Sequence, residues 1–530
     1  MSAKIGQKPS PKRFHQAQWD EPIIFELSQP GQRGILLPEV EKAIQDQVGD
    51  VAASLPDPLR RKNPPALPEM SQIHVLRHYD RLSQENLGVD LNIDIGQGTC
   101  TMKYSPKVND QIARSPKLTE LHPLQDESTV QGMLEIMYRL EQMFKEISGM
   151  DRFSLQPGAG SGAIYANIAM IRAYHASRGD AQKRDEVITT IFSHPSNAAC
   201  AKVAGYKIIT LYPGPDGYPE LEALKAAISE RTAALLITNP EDTGIYNPYI
   251  AEFVALVHEA GGLCAYDQAN ANGILGITRA REAGFDLCHF NLHKTFSTPH
   301  GCGGPAAGAC GVTEKLAPFL PKPTVEFDGS RSGGLYFLDF ERPLSVGKTR
   351  PWYGVAQNLL KAYAWIMSLG ADGLRQVAET AVLNNNYLLN QVLKLDGASM
   401  PYGREGSVSR TRRIEQVRYS WEKLTEETGV HSEEIGQRIV DFGMHYWTSH
   451  HPFVVPEPMT LEPTESYSKA DLDEYLAALA QIAKEAYSDP QLIHSAPHNS
   501  TVHQIQHESL DNPQEWAVTW RAYKRKTKGG

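Results

Sequence analysis

Two charged residues, Asp267 and Lys294, have the types and the spacing needed to hold a reactive cofactor. Lys294 lies within Asn291–Phe296, just before a glycine-rich loop, and Asp267 ends an earlier apolar run. An aspartate at one strand end and a lysine at a later strand end fit pyridoxal phosphate (PLP), because the lysine amine forms a Schiff base and the carboxylate pairs with the pyridinium nitrogen. The alternative is a solvated surface lysine, the commoner state of this residue. His293 and the glycine-rich loop beside Lys294 argue against it.

A glycine-rich turn supplies a third part of this predicted site. Gly160, Ser161 and Gly162 precede an amphipathic helix predicted over Ala163–Ser177. A turn of this kind offers free backbone N–H groups and the positive end of the helix dipole, and both suit a phosphate. Tight packing explains the local pattern equally well. The order of phosphate turn, aspartate and lysine along the chain favours phosphate binding.

Three further segments carry candidate residues, each with a plain alternative. His194 follows a predicted strand and could stack on a flat cofactor ring, whereas a solvated loop histidine is the competing interpretation. Arg350 could clamp a substrate carboxylate through two hydrogen bonds, and a surface salt bridge is equally compatible with its local sequence. Cys100, beside Thr99, has no evident histidine partner for a nucleophile, so both residues are interpreted as part of a structural or substrate-shaping loop.

The elements that must position these residues alternate between short apolar strands and helices. This alternation predicts an α/β fold with a mostly parallel, doubly wound sheet covered on both faces. Ligands bind beyond the carboxyl ends of the strands in such sheets, where Asp267 and Asn291 are expected. The predicted strands are Val187–Phe192, Lys207–Leu211, Ala234–Thr238, Leu263–Asp267 and Leu287–Asn291, and the helices between them are Glu220–Ser229 and Ile250–Ala260.

Three domains are predicted along the chain. Residues 1–110 contain many prolines and predict an extended arm with short helices, packed on something else rather than folded alone. Residues 111–345 hold the alternating strands and form the predicted PLP-binding large domain. Residues 346–530 predict a smaller α+β C-terminal domain, with long helices at Gly354–Leu369 and Gly373–Leu395.

Composition excludes several classes of function. The chain has 530 residues, 41% of them hydrophobic, and a net charge of −10, which gives no electrostatic case for nucleic acid or an anionic membrane as partner. Its 6 cysteines are scattered without a CxxC pair, which argues against a disulfide framework or a metal site. No apolar stretch approaches a membrane span and the first residues lack a signal segment, so a cytoplasmic protein is expected.

The motifs taken together resemble a known family. Gly98–Lys103, Asn291–Phe296 with the following Pro-His-Gly loop, and Leu461–Glu465 are the segments that carry the likeness most clearly. The sequence resembles the P-protein of the glycine cleavage system, the PLP-dependent glycine dehydrogenase (decarboxylating), and within it the separate second subunit. The resemblance implies a PLP-dependent transferase of fold type I. In that family glycine condenses with PLP and loses carbon dioxide, and the aminomethyl group passes to the lipoyl arm of the H-protein.

The resemblance also implies roles and partners. Lys294 becomes the Schiff-base lysine, Asp267 the pyridinium partner and His194 the ring-stacking histidine. The further residues implied to contact the cofactor are Gly160, Ser161, Gly162, Asn270 and His293, and those implied to contact the substrate are Arg350, Thr99 and Cys100. The expected partners are a P-protein subunit 1 homologue and lipoylated H-protein. A homo- or hetero-oligomer is expected because fold type I sites are commonly built at a dimer interface.

Several loops depart from the family pattern. Gly158–Ile164 stands where the family has Ala-Ala-Gly-Ala-Gln-Gly-Glu, Pro195–Ala198 replaces Gly-Thr-Asn-Pro, and Pro401–Leu424 also differs. These loops lie at expected substrate contacts, so one alternative is a PLP-dependent paralogue that acts on a different amino acid or amine. A non-catalytic scaffold subunit is the alternative from another class. The intact Lys294 and Asp267 argue against it, because a scaffold has no need for that pair.

Overall fold

The computed structural model describes residues 10–88, 90–96, 103–300, 304–330, 333–403, 412–445, 454–504, 512, 516–517 and 519–527. Thr99 and Cys100 lie outside the described residues. The chain forms two compact units. The first takes Met1–Arg13 and Gly88–His494, and the second takes Phe14–Leu87 and Ser495–Gly530.

The strands of the described chain all lie in the first unit. They are β1 (Arg152–Ser154), β2 (Glu186–Thr190), β3 (Lys207–Leu211), β4 (Thr232–Thr238), β5 (Leu263–Gln268), β6 (Leu287–Asn291), β7 (Gly308–Val312), β8 (Thr324–Asp328), β9 (Leu335–Asp339), β10 (Val417–Ser420) and β11 (Pro458–Leu461). The five strands predicted from the sequence are confirmed as β2 to β6, within one or two residues at each end.

Helices cover the strands of the first unit, and three of the described α-helices lie in the second unit. The described α-helices are α1 (Lys42–Val48), α2 (Gln72–Gln84), α3 (Lys107–Ala113), α4 (Pro116–Thr119), α5 (Gln131–Ser148), α6 (Ala159–Ser177), α7 (Pro195–Val203), α8 (Leu221–Ala227), α9 (Ile250–Glu259), α10 (Leu292–Thr295), α11 (Ala356–Val392), α12 (Glu422–Thr428), α13 (Ser432–Val440), α14 (Lys469–Ser488), α15 (Pro490–His494) and α16 (Trp520–Thr527). None of the described helices is long and apolar enough to cross a membrane.

A seven-stranded sheet is the centre of the first unit. Its strand order is β1-β7-β6-β5-β4-β2-β3, with β2 to β6 parallel and with β7 antiparallel to both β1 and β6. The prediction of a mostly parallel, doubly wound sheet is therefore confirmed. The carboxyl ends of β2, β4, β5 and β6 meet at one side of the sheet, which we call the C-terminal edge.

Helices cover both faces of this sheet, so its central strands are buried throughout. Leu235 of β4 belongs to the core on one face, together with Phe144 of α5. The next residue, Leu236, belongs to the core on the other face, together with Ile168 of α6. Successive side chains on a strand point to opposite faces, so a strand between two helical layers is mostly apolar.

The region that follows the sheet is built on one long helix. The sequence predicted two helices here, and this is confirmed, because α11 consists of two helices joined at a kink, where Gly370 is non-helical with a φ of 65°. Beyond it, the β10–β11 pair and helices α12 to α15 enclose a core of their own, which includes Trp421 and Tyr475. The boundaries at residues 110 and 345 stay predictions.

The second unit exposes an apolar segment. α1 has no buried residue, and Leu36 and Leu37 are 82% and 80% exposed. We keep the name arm for residues 35–67, which are part of the extended arm predicted over residues 1–110. Its other exposed apolar side chains are Ile35, Val40, Ile44, Val48, Val51, Leu55, Leu59 and Leu67.

Candidate active site

A buried carboxylate stands at the C-terminal edge. Asp267 of β5 is paired in register with His289 of β6, whose Nε2 lies 3.1 Å from Asp267 Oδ1. Asn197 Nδ2 donates to Oδ2 at 2.7 Å, and the Ala269 N–H donates to Oδ1 at 3.0 Å. Burial alone would raise the pKa of Asp267, but the charge of His289 and these hydrogen bonds outweigh it and hold the pKa well below its usual range. Asp267 is therefore ionised although it is buried.

A buried lysine follows the neighbouring strand. Lys294 lies in α10, the single turn of helix that begins directly after β6. Among the described residues, none forms a hydrogen bond or an ion pair with its ammonium group. His293 beside it donates Nδ1–H to the Ala307 carbonyl, 3.1 Å away. Burial and, to a smaller extent, the charges of Lys294 and His300 lower the pKa of His293 to about 3. This ring is therefore neutral near pH 7.

The start of α6 brings its backbone against two side chains. A Cβ at Gly158 would lie 1.6 Å from Arg350 Nη1, and a Cβ at Gly160 would lie 2.7 Å from Asn291 Nδ2. A side chain at either position would therefore displace these groups. Between them Ala159 has a φ of 60°, a conformation that non-glycine residues rarely adopt and that clusters at functional sites. Arg350 thus lies directly over the turn that leads into α6.

Two helix N-termini meet beside this turn. Gly160, Ser161 and Gly162 all lie in the first turn of α6, and Ser161 Oγ is 2.8 Å from Ser196 Oγ in the first turn of α7. The two hydroxyl groups and the backbone N–H groups at the start of α6 form a neutral set of hydrogen-bond donors. Such a set suits a phosphate. Ser196 was not predicted from the sequence.

The helix α7 connects His194 to the buried carboxylate. His194 is the N-cap of α7, and its Nδ1 accepts a hydrogen bond from the Ser196 N–H at 3.1 Å. Its carbonyl accepts from the Asn197 N–H at 2.9 Å. Asn197 then reaches Asp267. Asn197 therefore connects His194, in the segment after β2, to Asp267 near the end of β5.

The loop after β5 is tied to α10 and to a distant glutamate. The Ala271 N–H donates to Thr295 Oγ1 at 2.9 Å, which joins the Asp267 loop to the helix that carries Lys294. Asn270 Nδ2 and Asn272 Nδ2 both donate to Glu462 Oε1, at 2.6 and 2.8 Å. The amide of Asn270, predicted to contact the cofactor, is thus bound to a buried carboxylate.

The sequence prediction missed His289, Asn197 and Ser196. The register of β5 against β6 sets His289 opposite Asp267, and a sequence does not specify register between strands that are joined by a long loop. A local signal did exist for Asn197, because it lies three residues after His194, one turn along a predictable helix.

The sheet order and the C-terminal edge define a class of protein. A family model described as Aminotransferase class-V matches residues 160–321. A crystal structure of glycine decarboxylase (P-protein) of the glycine cleavage system in inhibitor-bound form superposes with a TM-score of 0.70 at 19% identity, over 84% of this chain and 100% of that chain. The first unit has the fold of the PLP-dependent class-V aminotransferases.

Comparison over the whole chain then specifies the family. A model of the glycine dehydrogenase C-terminal domain matches residues 377–503. The probable glycine dehydrogenase (decarboxylating) subunit 2 of Pyrococcus furiosus is 46% identical over 97% of this chain and 99% of its own length. The protein of that name from Caldanaerobacter subterraneus subsp. tengcongensis is 44% identical over 91% and 96%. The chain belongs to the glycine dehydrogenase (decarboxylating) subunit 2 family.

Proposed function

We propose that this chain binds PLP at Lys294, decarboxylates glycine and passes the aminomethyl group to the lipoyl arm of an H-protein, as the second subunit of a two-subunit enzyme. The observation that carries the proposal is the buried, ionised Asp267, held by His289 and Asn197 at the same sheet edge as the buried Lys294. PLP, when bound, takes up the electron pair that decarboxylation leaves on the substrate carbon.

The described residues fit the parts of this cofactor. Asp267 would hold the proton on the pyridine nitrogen, because an ionised carboxylate in a buried site stabilises an adjacent cation. Lys294 has no ion-pair partner among the described residues, so its amine is available for the covalent linkage. His194 would lie against the ring. The hydroxyls of Ser161 and Ser196, with the backbone of Gly160 and Gly162, would bind the phosphate.

Substrate contacts follow from the same geometry. Arg350, over the Gly158 turn, would bind the substrate carboxylate through its guanidinium group. The neutral His293 adds no positive charge beside that carboxylate. The burial of Asp267, His293 and Lys294 limits water at this end of the site, which favours the loss of a charged carboxylate as carbon dioxide. Asn270, through Glu462, would hold the Asp267 loop, and Thr99 and Cys100 keep their proposed place near the substrate.

Carboxyl-labelled glycine tests this function. The purified chain, a subunit 1 homologue and lipoylated H-protein are expected to exchange the label with bicarbonate, and Lys294→Ala is expected to abolish the exchange. Lys315→Ala is the matched control, because Lys315 pairs with Asp286 away from the C-terminal edge. Exchange that survives Lys294→Ala contradicts the proposal.

We infer that the arm docks on the subunit 1 homologue. Many exposed apolar side chains close together in the chain are typical of a protein interaction surface. The relatives' name, subunit 2, implies a first subunit to cover it. Leu36→Asp with Leu37→Asp is expected to abolish co-purification with the subunit 1 homologue without changing the cofactor absorbance. Leu383→Asp, exposed on α11, is the control. Unchanged co-purification with the arm variant contradicts the inference.

A second candidate function keeps the cofactor and changes the substrate, and a buried group of ionisable side chains favours it. Glu241, which follows β4, has one carboxyl oxygen without a hydrogen-bond partner among the described residues. The Nη1 group of Arg418 on β10 also has no such partner. Arg418 Nη2 lies 3.1 Å from Asp242, and the carboxyl group of Glu415 lies against Gly273 in the loop after Asp267. Glycine has no side chain to bind such groups.

A panel of amino acids separates the two candidates. Each is added to the PLP-loaded chain with its partners, and label exchange from the carboxyl group is measured. Exchange with glycine alone supports the first candidate. Exchange with an amino acid that has a polar side chain, and none with glycine, supports the paralogue. A scaffold subunit requires that no absorbance band sensitive to borohydride forms at all.

A further inference from the structure

Lys103 is a fully buried lysine to which the proposed chemistry assigns no role. Its Nζ lies 3.0 Å from Glu465 Oε2 and 4.9 Å from the centroid of the Trp365 ring. Burial lowers the pKa of Lys103, and the charge of Glu465 opposes that shift. An ammonium group is expensive to bury and persists only where a carboxylate and an aromatic face compensate for its lost hydration.

Trp365 connects this ammonium group to the helix of Lys294. The ring of Trp365 lies edge-on to Phe296, with 6.1 Å between the ring centroids. Phe296 is the C-cap of α10, two residues after Lys294, and its ring is fully buried. Lys103 therefore packs against the far side of the aromatic pair that supports the end of α10.

Tyr104 makes a second connection through the backbone. Its carbonyl accepts a hydrogen bond from Ser297 Oγ, and its N–H donates to Ser466 Oγ at 3.0 Å. Ser297 directly follows Phe296, and Ser466 directly follows Glu465. The residue pair 103–104 is thus bound to the end of α10 on one side and to the segment around Glu465 on the other.

Two residues with strained backbones flank these contacts. Ser297 has a φ of 57° and Thr464 a φ of 56°, and both are fully buried. A non-glycine residue in this region costs about 1–3 kcal/mol and persists only where its surroundings over-determine it. Asn384 Nδ2 holds the Thr464 carbonyl at 3.0 Å, and Tyr104 holds Ser297. The Lys103–Glu465 pair lies between these two strained residues.

We propose that Lys103 is a positioning residue, whose buried ammonium group, held between Glu465 and Trp365, fixes α10 and with it the amine of Lys294. This inference rests on the proposed cofactor linkage at Lys294. Lys103 touches neither substrate nor cofactor and acts through Trp365, Phe296 and Ser297.

The test compares the single variant Lys103→Met with the double variant Lys103→Met/Glu465→Gln. The single variant leaves a buried carboxylate without its cation, so its melting temperature is expected to fall. The double variant removes both charges, so its melting temperature is expected to return toward that of the wild type. Arg438→Met is the matched control, because it breaks an ion pair of 2.9 Å between α13 and Glu485 of α14.

The decisive readouts concern the cofactor. The absorbance of the lysine-bound cofactor is titrated with pH in the chain with its partner subunit, and kcat and KM are measured for the complex. Both Lys103 variants are expected to shift the titration midpoint and to lower kcat about 10–100-fold, the effect of a misplacement of about 1 Å. KM is expected to change less than about threefold, as befits a defect in positioning rather than in binding. Arg438→Met is expected to lower only the melting temperature.

The outcomes separate the inference from the function on which it rests. A double variant with the melting temperature, midpoint and kcat of the wild type overturns the inference, because the pair would then only stabilise the fold. A wild-type chain without a cofactor band overturns the proposed function first. If Lys103→Met does not fold, the double variant alone decides the question.

Discussion

Replacing Asp267 with Asn tests the feature on which the proposed cofactor site depends. Asn keeps the size of the side chain and removes its charge, so no cavity forms. A hydrogen bond to a charged group contributes about 1.5–3 kcal/mol. Since about 1.4 kcal/mol corresponds to a tenfold change in affinity, Asp267→Asn is expected to raise the Kd for PLP about 10–100-fold. Equilibrium dialysis of the apoprotein against PLP measures this directly.

Asp286 offers a closely matched control. Asp286 is also buried and accepts hydrogen bonds from His258 Nε2 at 2.7 Å and from the Cys264 N–H at 2.8 Å. It precedes β6, so it lies at the edge of the sheet opposite to Asp267. Asp286→Asn is expected to lower the melting temperature and to leave the Kd for PLP within about twofold, since it breaks an equivalent contact far from the cofactor. Equal changes in Kd for both variants would refute the reasoning.

The pH dependence gives the same prediction a sign. The pKa of Asp267 is depressed in the folded chain. Its carboxylate therefore stabilises the fold above the unfolded pKa, about 3.9, and this contribution is lost as the pH falls through the folded pKa. His289→Leu removes the charge that opposes burial and therefore raises the folded pKa. The loss of PLP affinity on acidification is expected at a higher pH in this variant than in the wild type. Coincident curves would show that His289 does not stabilise the carboxylate.

Two other substitutions test separate parts of the site. Gly158→Ala places a Cβ 1.6 Å from Arg350 Nη1, so the guanidinium group must move. KM for the amino acid is then expected to rise about tenfold, as for the loss of one charged hydrogen bond. Gly132→Ala is the control, because open space surrounds its Cβ, and KM is expected to stay unchanged. Burial and the charge of Asp242 raise the pKa of Glu241 to about 8. The uncharged form of Glu241 stabilises the fold, and this contribution is lost as the pH rises toward that value. Glu241→Gln is therefore expected to melt higher relative to the wild type at pH 8 than at pH 6, and an equal difference at both would contradict this pKa.

Local pattern was sufficient for much of the fold and for the chemistry of the main residues. β3 and β6 begin and end where the sequence predicted. β6 is buried along its whole length and mostly apolar, the pattern of a strand covered on both faces, whereas β3 lies at the edge of the sheet and is only partly buried. The alternation of strands and helices predicted that the phosphate turn, Asp267 and Lys294 meet, since parallel strands bring their carboxyl ends to one edge of the sheet. These are properties of short segments, and the sequence alone determined them.

Tertiary structure decided which side chains meet. His289 faces Asp267 only because β5 and β6 pair in one particular register, and Arg350 lies over Gly158 although many residues separate them in the chain. The antiparallel strand β7 was not predicted, because Gly308–Val312 has no local pattern that distinguishes it from a loop. The sequence alone therefore predicted Lys294 and Asp267 as candidate site residues. The contacts that keep Asp267 ionised exist only in the folded chain, because they join residues from separate strands and helices.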